Sequence, residues 1–297
     1  MCPLCFIITC EAEEVPTLLR SWLEITAGWL PAFRQPRSFR RALSQALGTL
    51  TAFGRRTLAR VICSQGRQQQ DWSAEYKLHA RAPWKSQDLF QPILQKALPF
   101  CPGRYLVVAI DDTRLQKTGR RILSAFYQRD PRSPKFRFNL MFGLRFLQMS
   151  LLVPLHRCRK RMYYRDPAFL LTTDRQATAR ELLQAYFDRW QIEINHREEK
   201  DTLGIGQAQL RSPHSVPRQP AFGVAAYSAL LLAALLAFGP CRGQAYQPLP
   251  KWHKKAERPS CLDLITCLRT EMIENKQLLQ PLGLQLDWET LGLAAAA

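Results

Sequence analysis

Four polar side chains recur at helical spacing in the middle of the chain: Tyr186, Arg189, Glu193 and Lys200, at offsets of 0, 3, 7 and 14 residues. At about 100° per residue they fall within an arc of roughly 60° on one helix face. One carboxylate and two cations on such a face could bind charged ligands. The alternative is a solvated face, because i,i+4 ion pairs there add only about 0.2–0.5 kcal/mol each.

The sequence around these residues predicts the helix that would position them. Thr178 followed by Glu181 three residues later is a capping box, which indicates a helix beginning there. Gly204 and Gly206 indicate where that helix ends. Glu193 is therefore expected in the middle of the helix, where its position is rigid.

The spacing of Tyr, two residues, Arg, three residues, Glu, six residues and Lys resembles the signature around the last acidic residue of the DDE transposases of bacterial insertion sequences. The resemblance implies that Glu193 is a metal-binding catalytic carboxylate and that Mg²⁺ or Mn²⁺ is the cofactor. It also implies that Arg189 and Lys200 contact phosphates of the transposon-end DNA, with Tyr186 beside that DNA. The resemblance covers residues 35 to 270 and is most specific at 180 to 212.

A second carboxylate candidate follows an apolar segment. Residues 104 to 113 read RYLVVAIDDT, which predicts a buried strand delivering a carboxylate at its end. The resemblance implies an RNase H-like α/β fold, a mixed sheet flanked by helices, in which Asp111 is the first metal ligand and Asp112 the fallback. A plain strand followed by an Asp-rich turn is the alternative.

Further apolar segments predict the rest of the sheet. Residues 121 to 128 and 136 to 153 are separated by the turn RDPRSP, and with the first strand they fit a three-strand meander. Residues 164 to 173 predict a last strand before the helix that carries the four-residue signature, called the signature helix below. The family carries its second catalytic Asp on a strand between the third strand and the last. Here residues 155 to 163 read LHRCRKRMY and contain no acid. We therefore interpret the chain as internally deleted near 155–163.

Two-metal phosphoryl transfer needs carboxylates from separate elements to complete the shells of both ions. With one of three missing, we expect DNA cleavage and strand transfer to be absent or strongly reduced. Loss of that strand also predicts an exposed apolar sheet edge, which favours aggregation.

The chain divides into three predicted regions: a helical, basic N-terminal region at 1–100, the RNase H-like core at 101–212, and a C-terminal helical region at 213–297 packed on that core. Residues 38 to 62 predict two short amphipathic helices around Gly48. The apolar positions expected to face the core are Phe39, Ala42, Leu43, Ala46 and Leu47. Their polar side carries candidate DNA contacts, Arg55, Arg56 and Arg60. A DNA-binding helix-turn-helix and an ordinary helical hairpin fit this pattern equally well.

The charge of the chain indicates a polyanionic partner. Forty-two Lys and Arg against 24 Asp and Glu give a net charge of +18, and residues 25 to 70 contain eight Arg and no acid. Nucleic acid is the first candidate partner and an anionic membrane surface the second. From the resemblance, we expect double-stranded DNA at transposon ends as the partner, with the protein a homo-oligomer on that DNA.

The N-terminal segment has no basic region before its first acids, so no secretory leader is predicted. A bacterial cytoplasmic, nucleoid-associated protein with reduced cysteines is the expectation. Cys2 and Cys5 form a CxxC pair, but no second pair stands at zinc-ribbon spacing. The uncharged segment 219–241 is nearly long enough to span a bilayer, but its many small residues favour a buried helix over a membrane span.

Three functions follow from these patterns. The first is a DDE transposase that binds transposon ends and catalyses DNA cleavage and strand transfer, impaired in this copy. The second is a non-catalytic DNA-binding remnant or regulator of transposition. The third is a membrane protein built on the apolar segment.

Overall fold

A computed structural model of the chain describes residues 17–101, 106–153, 176–239 and 259–283. These residues form a mixed α-helical and β structure. In chain order, the elements are α1 (Leu18–Ala27), α2 (Pro36–Thr51), α3 (Leu58–Ser64), α4 (Ser73–Ala80), α5 (Ser86–Ala97), β1 (Val108–Gln116), β2 (Phe126–Arg129), β3 (Leu140–Leu151), α6 (Ala179–Arg197), α7 (Ser215–Phe238), α8 (Cys261–Glu274) and α9 (Lys276–Leu279). The predicted deletion at 155–163, the predicted strand at 164–173 and the CxxC pair lie outside the described residues.

Helix α2 differs from its sequence-based prediction. It continues through Gly48 and ends at Thr51, so the expected break at the glycine is wrong. A Cβ at Gly48 would lie only 2.9 Å from Val61 Cγ1 of α3. The glycine therefore permits close packing between the two helices instead of ending one of them. The turn between them contains Gly54 at φ +69°, a backbone conformation that glycine adopts readily.

The apolar positions predicted for this helical pair lie in the protein core. Phe39, Ala42, Leu43, Ala46 and Leu47 are all buried. They belong to one large cluster that joins α1, α2 and α5 to α7 and α8. The largest cluster of the described residues is thus helical, and helices from both ends of the chain build it.

The described sheet has three antiparallel strands in the order β1-β3-β2. The predicted meander would place β2 in the centre, so that strand order is wrong. Residues 140 to 143 of β3 pair with β2, while residues 143 to 151 pair with β1. At Gly143 both neighbours are paired, and a Cβ there would lie 2.5 Å from the Leu115 carbonyl oxygen. The long β3 therefore bridges two shorter strands, and the described part of the sheet contains no parallel pair.

One face of this sheet is apolar and exposed. Ile110, Leu147 and Met149 share that face through the register of β1 with β3, and they are 56%, 73% and 65% exposed. The opposite face is covered, with Ala109, Leu115 and other side chains buried beneath α6 and the start of α7. Strand β1 is thus only half-buried, which corrects the expectation of a fully buried strand.

Helix α6 begins as predicted. The Thr178 hydroxyl accepts from the Glu181 backbone N–H at 3.3 Å, and the Glu181 carboxylate accepts from the Thr178 N–H at 2.8 Å, which completes the capping box. At its other end, α6 continues into a π-helical turn, Glu198–Thr202. Gly204 and Gly206 follow at positive φ and end the helical segment. The π-helical turn was not predicted.

The apolar segment near residue 230 forms helix α7. It is long and apolar enough to cross a membrane, but 61% of its most apolar 18-residue window is buried in the protein. It packs against α1, α2 and α5, and the Trp22 indole N–H donates to the Ala226 carbonyl at 3.3 Å. The surroundings of α7 in the described residues are therefore those of a core helix.

Candidate functional site

The candidate site lies between the covered face of the sheet and the C-terminal end of α6. Asp111 is paired with Gln148 in the middle of β1, and not at the end of a strand as expected. Its Oδ1 accepts from the Asp112 backbone N–H at 2.9 Å. Its Oδ2 lies 3.9 Å from the Nε2 atom of His196. A strand carboxylate and a helix imidazole thus approach each other at this interface.

His196 is the least satisfied polar side chain of the site. It is only 7% exposed, and its Nδ1 lies 3.6 Å from Glu199 Oε2. Both nitrogen–oxygen distances exceed those of hydrogen bonds, and within the described part of the chain neither ring nitrogen has a hydrogen-bond partner. Unsatisfied groups of this kind cost about 1–3 kcal/mol each when buried. The imidazole therefore lies between the carboxylates of Asp111 and Glu199 without a hydrogen bond to either.

The π-helical turn supplies the second carboxylate. Glu199 is buried and accepts a hydrogen bond from Gln148 Nε2 at 2.9 Å. The preceding residue, Glu198, accepts a hydrogen bond from the buried Tyr227 hydroxyl of α7. Burial, together with the negative charge of Glu198, raises the pKa of Tyr227 well above its usual range. The turn thus directs one acid toward the sheet and another toward the helical core.

Lys200 lies in the same π-helical turn. The side chain is half-buried, and burial lowers the pKa of its ammonium group, while the negative charges of Glu199, Asp201 and Asp111 act in the opposite direction. Arg132 is a further cation acting on Lys200.

The other signature residues form an exposed ion pair on α6. Glu193 Oε1 lies 3.0 Å from Arg189 Nη2, and both side chains are exposed to solvent. The Arg189 guanidinium lies 5.8 Å from the centroid of the Tyr186 ring and 5.9 Å from that of Trp190. Glu193 is thus paired with a cation of its own helix.

Asp112, the fallback ligand, belongs to the other face of the sheet. Its carboxylate accepts from Arg145 Nε at 2.8 Å. That hydrogen bond holds the pKa of Asp112 below its usual range. Of the two adjacent acids, Asp111 is the one that lies beside α6.

The magnesium site implied by the family resemblance is not assembled among the described residues. Among the described residues, no group of three His, Cys, Asp or Glu side chains is placed to hold one metal ion. Asp166 and Asp174, the remaining acids near the expected last strand, lie outside the described residues. The metal roles of Asp111 and Glu193 stay predictions.

The three N-terminal arginines proposed to contact DNA occupy the turn before α3 and its first residues. Arg55 and Arg60 are exposed, and Arg60 Nε donates to the Phe53 carbonyl at 3.2 Å. Arg56 is partly buried, which lowers the pKa of its guanidinium, and its Nη1 donates to the Gly54 carbonyl at 2.7 Å. Arg55 and Arg60 are therefore better placed than Arg56 to meet a phosphate.

Sequence reasoning missed His196 and Glu199. The available signal was the spacing His196-x-x-Glu199, because residues three apart on a helix are neighbours. Comparison with known proteins adds no further residue: no protein-family model matches the sequence, and no curated protein and no solved structure matches it.

Proposed function

We propose that this chain is a transposase of the DDE type from a bacterial insertion sequence, impaired in catalysis because its second catalytic Asp is absent. The observation that carries the proposal is the packing of β1, with Asp111, against the end of the signature helix α6. The sequence spacing alone does not require Asp111 and Lys200 to share one site. The packing of this helix on β1 is an arrangement that the proposed role of both residues needs.

The proposal includes an RNase H-like fold for the catalytic region. The antiparallel β1, β2 and β3, with α6 against one face, support it. The exposed apolar face at Leu147 and Met149 is consistent with the loss of a covering element. Because one of three carboxylates is missing, we expect cleavage and strand transfer to fall by several orders of magnitude.

A non-catalytic DNA-binding protein is the second candidate. It is favoured by the charge of +18 and by the exposed Arg55 and Arg60 in the acid-free segment 25–70. Such a protein would occupy transposon ends and inhibit an intact transposase. In both proposals the chain acts on DNA in the bacterial cytoplasm, associated with the nucleoid, as a homo-oligomer and without a membrane.

The deciding experiment is cleavage of a labelled duplex that carries the element's own end, with Mg²⁺ or Mn²⁺ added. The chain is compared with Glu193→Ala, with the matched control Asp188→Ala on the same helix, and with a version in which the missing segment is restored. Cleavage by the chain and the control that is orders of magnitude weaker than that of the restored version, and that is lost in Glu193→Ala, supports the first proposal. Cleavage by the chain as strong as that of the restored version would show that another acid replaces the missing one and that the deletion argument is wrong. Cleavage by the restored version alone supports the second.

DNA binding is measured on the same duplex without added metal. Affinity should fall steeply with salt, because each neutralised phosphate releases counterions. Arg55→Gln and Arg60→Gln should reduce that slope, while Lys276→Gln, an exposed cation near the other end of the chain, should not. Absence of binding to duplex DNA at low salt would reject both proposals.

A further inference from the structure

We propose that the β2–β3 hairpin, residues 126 to 142, binds single-stranded DNA by stacking unpaired bases on Tyr127, Phe136 and Phe138. The partner is unpaired DNA and not a duplex end, and the hairpin lies apart in the chain from Arg55 and Arg60, so the proposal goes beyond the proposed function. It rests on that function only in naming DNA instead of RNA.

The hairpin exposes large aromatic side chains. Phe136 is 93% exposed, Phe138 66% and Tyr127 62%. Aromatic side chains stabilise a fold mainly by burying their large area, so rings this exposed contribute little to the packing of the described residues. They are instead accessible to a ligand.

Two of these rings belong to a continuous surface that includes a guanidinium group. Tyr127 and Arg129 are two residues apart on β2 and therefore project to the same side. The ring centroids of Tyr127 and Phe142 are 5.0 Å apart, and Arg129 Cζ lies 5.8 Å from the centre of the Phe138 ring. Single exposed rings are ordinary on protein surfaces, whereas contiguous exposed apolar area marks interaction sites.

This surface continues the sheet face that carries Asp111. Asp111 is paired with Gln148 of β3. Tyr127 is paired with Phe142, six residues earlier on the same strand and therefore on the same face. The two pairs are about 20 Å apart along β3, and the face is open at the hairpin, where Leu140 is 57% exposed. A single strand bound at the hairpin would thus lie on the face that leads to the candidate site.

The hairpin and its flanks are strongly basic. Residues 120 to 145 contain seven Lys and Arg against one acid, Asp130. Arg132, Lys135 and Arg137 are exposed on the turn between the two strands. Positive charge of this density attracts a polyanion, such as the phosphate backbone of a nucleic acid.

Hydrogen bonds order the turn that carries Phe136. The Asp130 backbone N–H donates to the Asn139 carbonyl at 2.8 Å, where the strands meet the turn. Within the turn, the Asn139 N–H donates to the Ser133 hydroxyl at 3.1 Å. Because the turn is held in this way, binding costs less conformational entropy than the ordering of a flexible loop would.

Single-stranded DNA matches both the rings and the charge. Proteins bind single strands without sequence preference by combining a positive surface, which follows the backbone, with aromatic side chains on which the bases stack. In a duplex each base already stacks on its neighbours, so a duplex would meet the cations of the hairpin but not its rings. The combination of exposed rings and cations therefore favours unpaired DNA.

Two other occupants fit this surface less well. A second copy of the hairpin would bring its own excess of positive charge against the first, and like charges repel. Membrane binding scales with the apolar area that is buried, and residues 130 to 137 of the turn offer one large apolar side chain, Phe136. Charge thus argues against a second copy, and apolar area argues against a membrane.

The first experiment compares two labelled strands of the same length, about 15 nucleotides, by fluorescence anisotropy with the full chain at low salt and without metal. One strand is oligothymidine and the other is abasic, so both carry the same phosphates but only the first has bases. We expect the wild type to bind oligothymidine at least about tenfold more tightly. This comparison needs no variant.

The variants locate the stacking. Tyr127→Ala and Phe138→Ala should each weaken oligothymidine binding about fivefold or more and leave abasic binding unchanged. Because stacking adds no charge, neither should change the slope of log affinity against log salt, whereas Arg137→Gln should reduce that slope for both strands. Phe126→Ala, on the opposite face of β2, is the matched control and should change binding less than twofold. Urea unfolding of each variant confirms that it is folded.

Equal binding of the two strands by the wild type, or equal weakening of both by Phe138→Ala, would overturn the proposal. Tighter binding of oligouridine than of oligothymidine would assign the surface to RNA instead. Vesicles of phosphatidylserine and phosphatidylcholine whose binding is lost in Phe136→Ala would assign it to a membrane, and sedimentation showing self-association lost in Phe138→Ala would assign it to a second copy. Duplex binding through Arg55 and Arg60 is measured separately, so failure of the proposed function is distinguishable from failure of this proposal.

Discussion

His79 should make the stability of the protein fall in mild acid. The imidazole is buried between the rings of Trp84 and Phe222, and Gln45 Oε1 lies 2.9 Å from its Nε2. Burial, and secondarily the charge of Arg218, lowers its pKa from 6.5 to about 3. The folded protein therefore holds this imidazole neutral where the unfolded chain would protonate it.

The direction and size follow from linkage. Between pH 6.5 and 3 the unfolded chain binds a proton that the folded protein does not, so the stabilisation is fully present above pH 6.5 and is lost as the pH falls. For these two pKa values, the free energy of unfolding should be about 2 kcal/mol lower at pH 5 than at pH 7.5 from His79 alone.

Urea unfolding at pH 7.5 and pH 5 measures this change, with the slope m confirming that the same surface is exposed. His79→Gln retains a donor toward Gln45 but cannot be protonated, so its stability should fall about 2 kcal/mol less than that of the wild type. The carboxylates that titrate over this pH range contribute equally to the wild type and to His79→Gln, so their contribution cancels in the difference between the two proteins. His214→Gln, at an exposed position, should behave as the wild type. Equal losses in the wild type and His79→Gln would refute the reasoning.

Three further predictions concern buried charges and the exposed sheet face. Burial lowers the pKa of Lys117 to about 8. Above pH 8 the unfolded chain therefore binds more protons than the folded protein, so the free energy of unfolding should rise from pH 8 to 10. Urea unfolding should show this rise in the wild type but not in Lys117→Met. Glu75 is buried against two arginines, so Glu75→Gln should lower the free energy of unfolding by about 3 kcal/mol, measured by the same method. Leu147→Lys with Met149→Lys should reduce self-association in light scattering, because the changes place charge on an exposed apolar face; unchanged scattering would show that this face does not drive association.

Local signals in the sequence predicted local structure well. The capping box of Thr178 and Glu181 and the burial of Phe39 and Leu43 are confirmed, because helix starts and apolar helix faces depend on neighbours within a few residues. The prediction of a helix break at Gly48 was wrong, because this position depends on a contact outside its own helix. Its role is set by Val61 on the next helix, and spacing within α2 carries no record of that contact.

The strand order and the partners of Asp111 could not be predicted in this way. In the structure β3 lies between β1 and β2, and this order depends on long-range strand pairing. A meander in which each strand pairs with the next one in the sequence would have the same apolar pattern, so the pattern does not distinguish the two orders. His196 and Glu199 approach Asp111 only because α6 crosses β1 at its C-terminal end. Sequence spacing placed residues on one helix but could not say which of its faces the sheet would cover.

The π-helical turn changes the direction in which Lys200 projects relative to Glu193. On an uninterrupted α-helix the two residues would lie about 20° apart. A π-helical turn has roughly 4.4 residues per turn, so each of the three steps from Arg197 to Lys200 turns about 18° less, and Lys200 moves about 50° toward the side of His196. That rotation turns Lys200 away from the side of the helix that carries Arg189 and Glu193. The four-residue signature therefore does not form one continuous row on the helix, because the π turn separates the direction of Lys200 from that of Arg189 and Glu193.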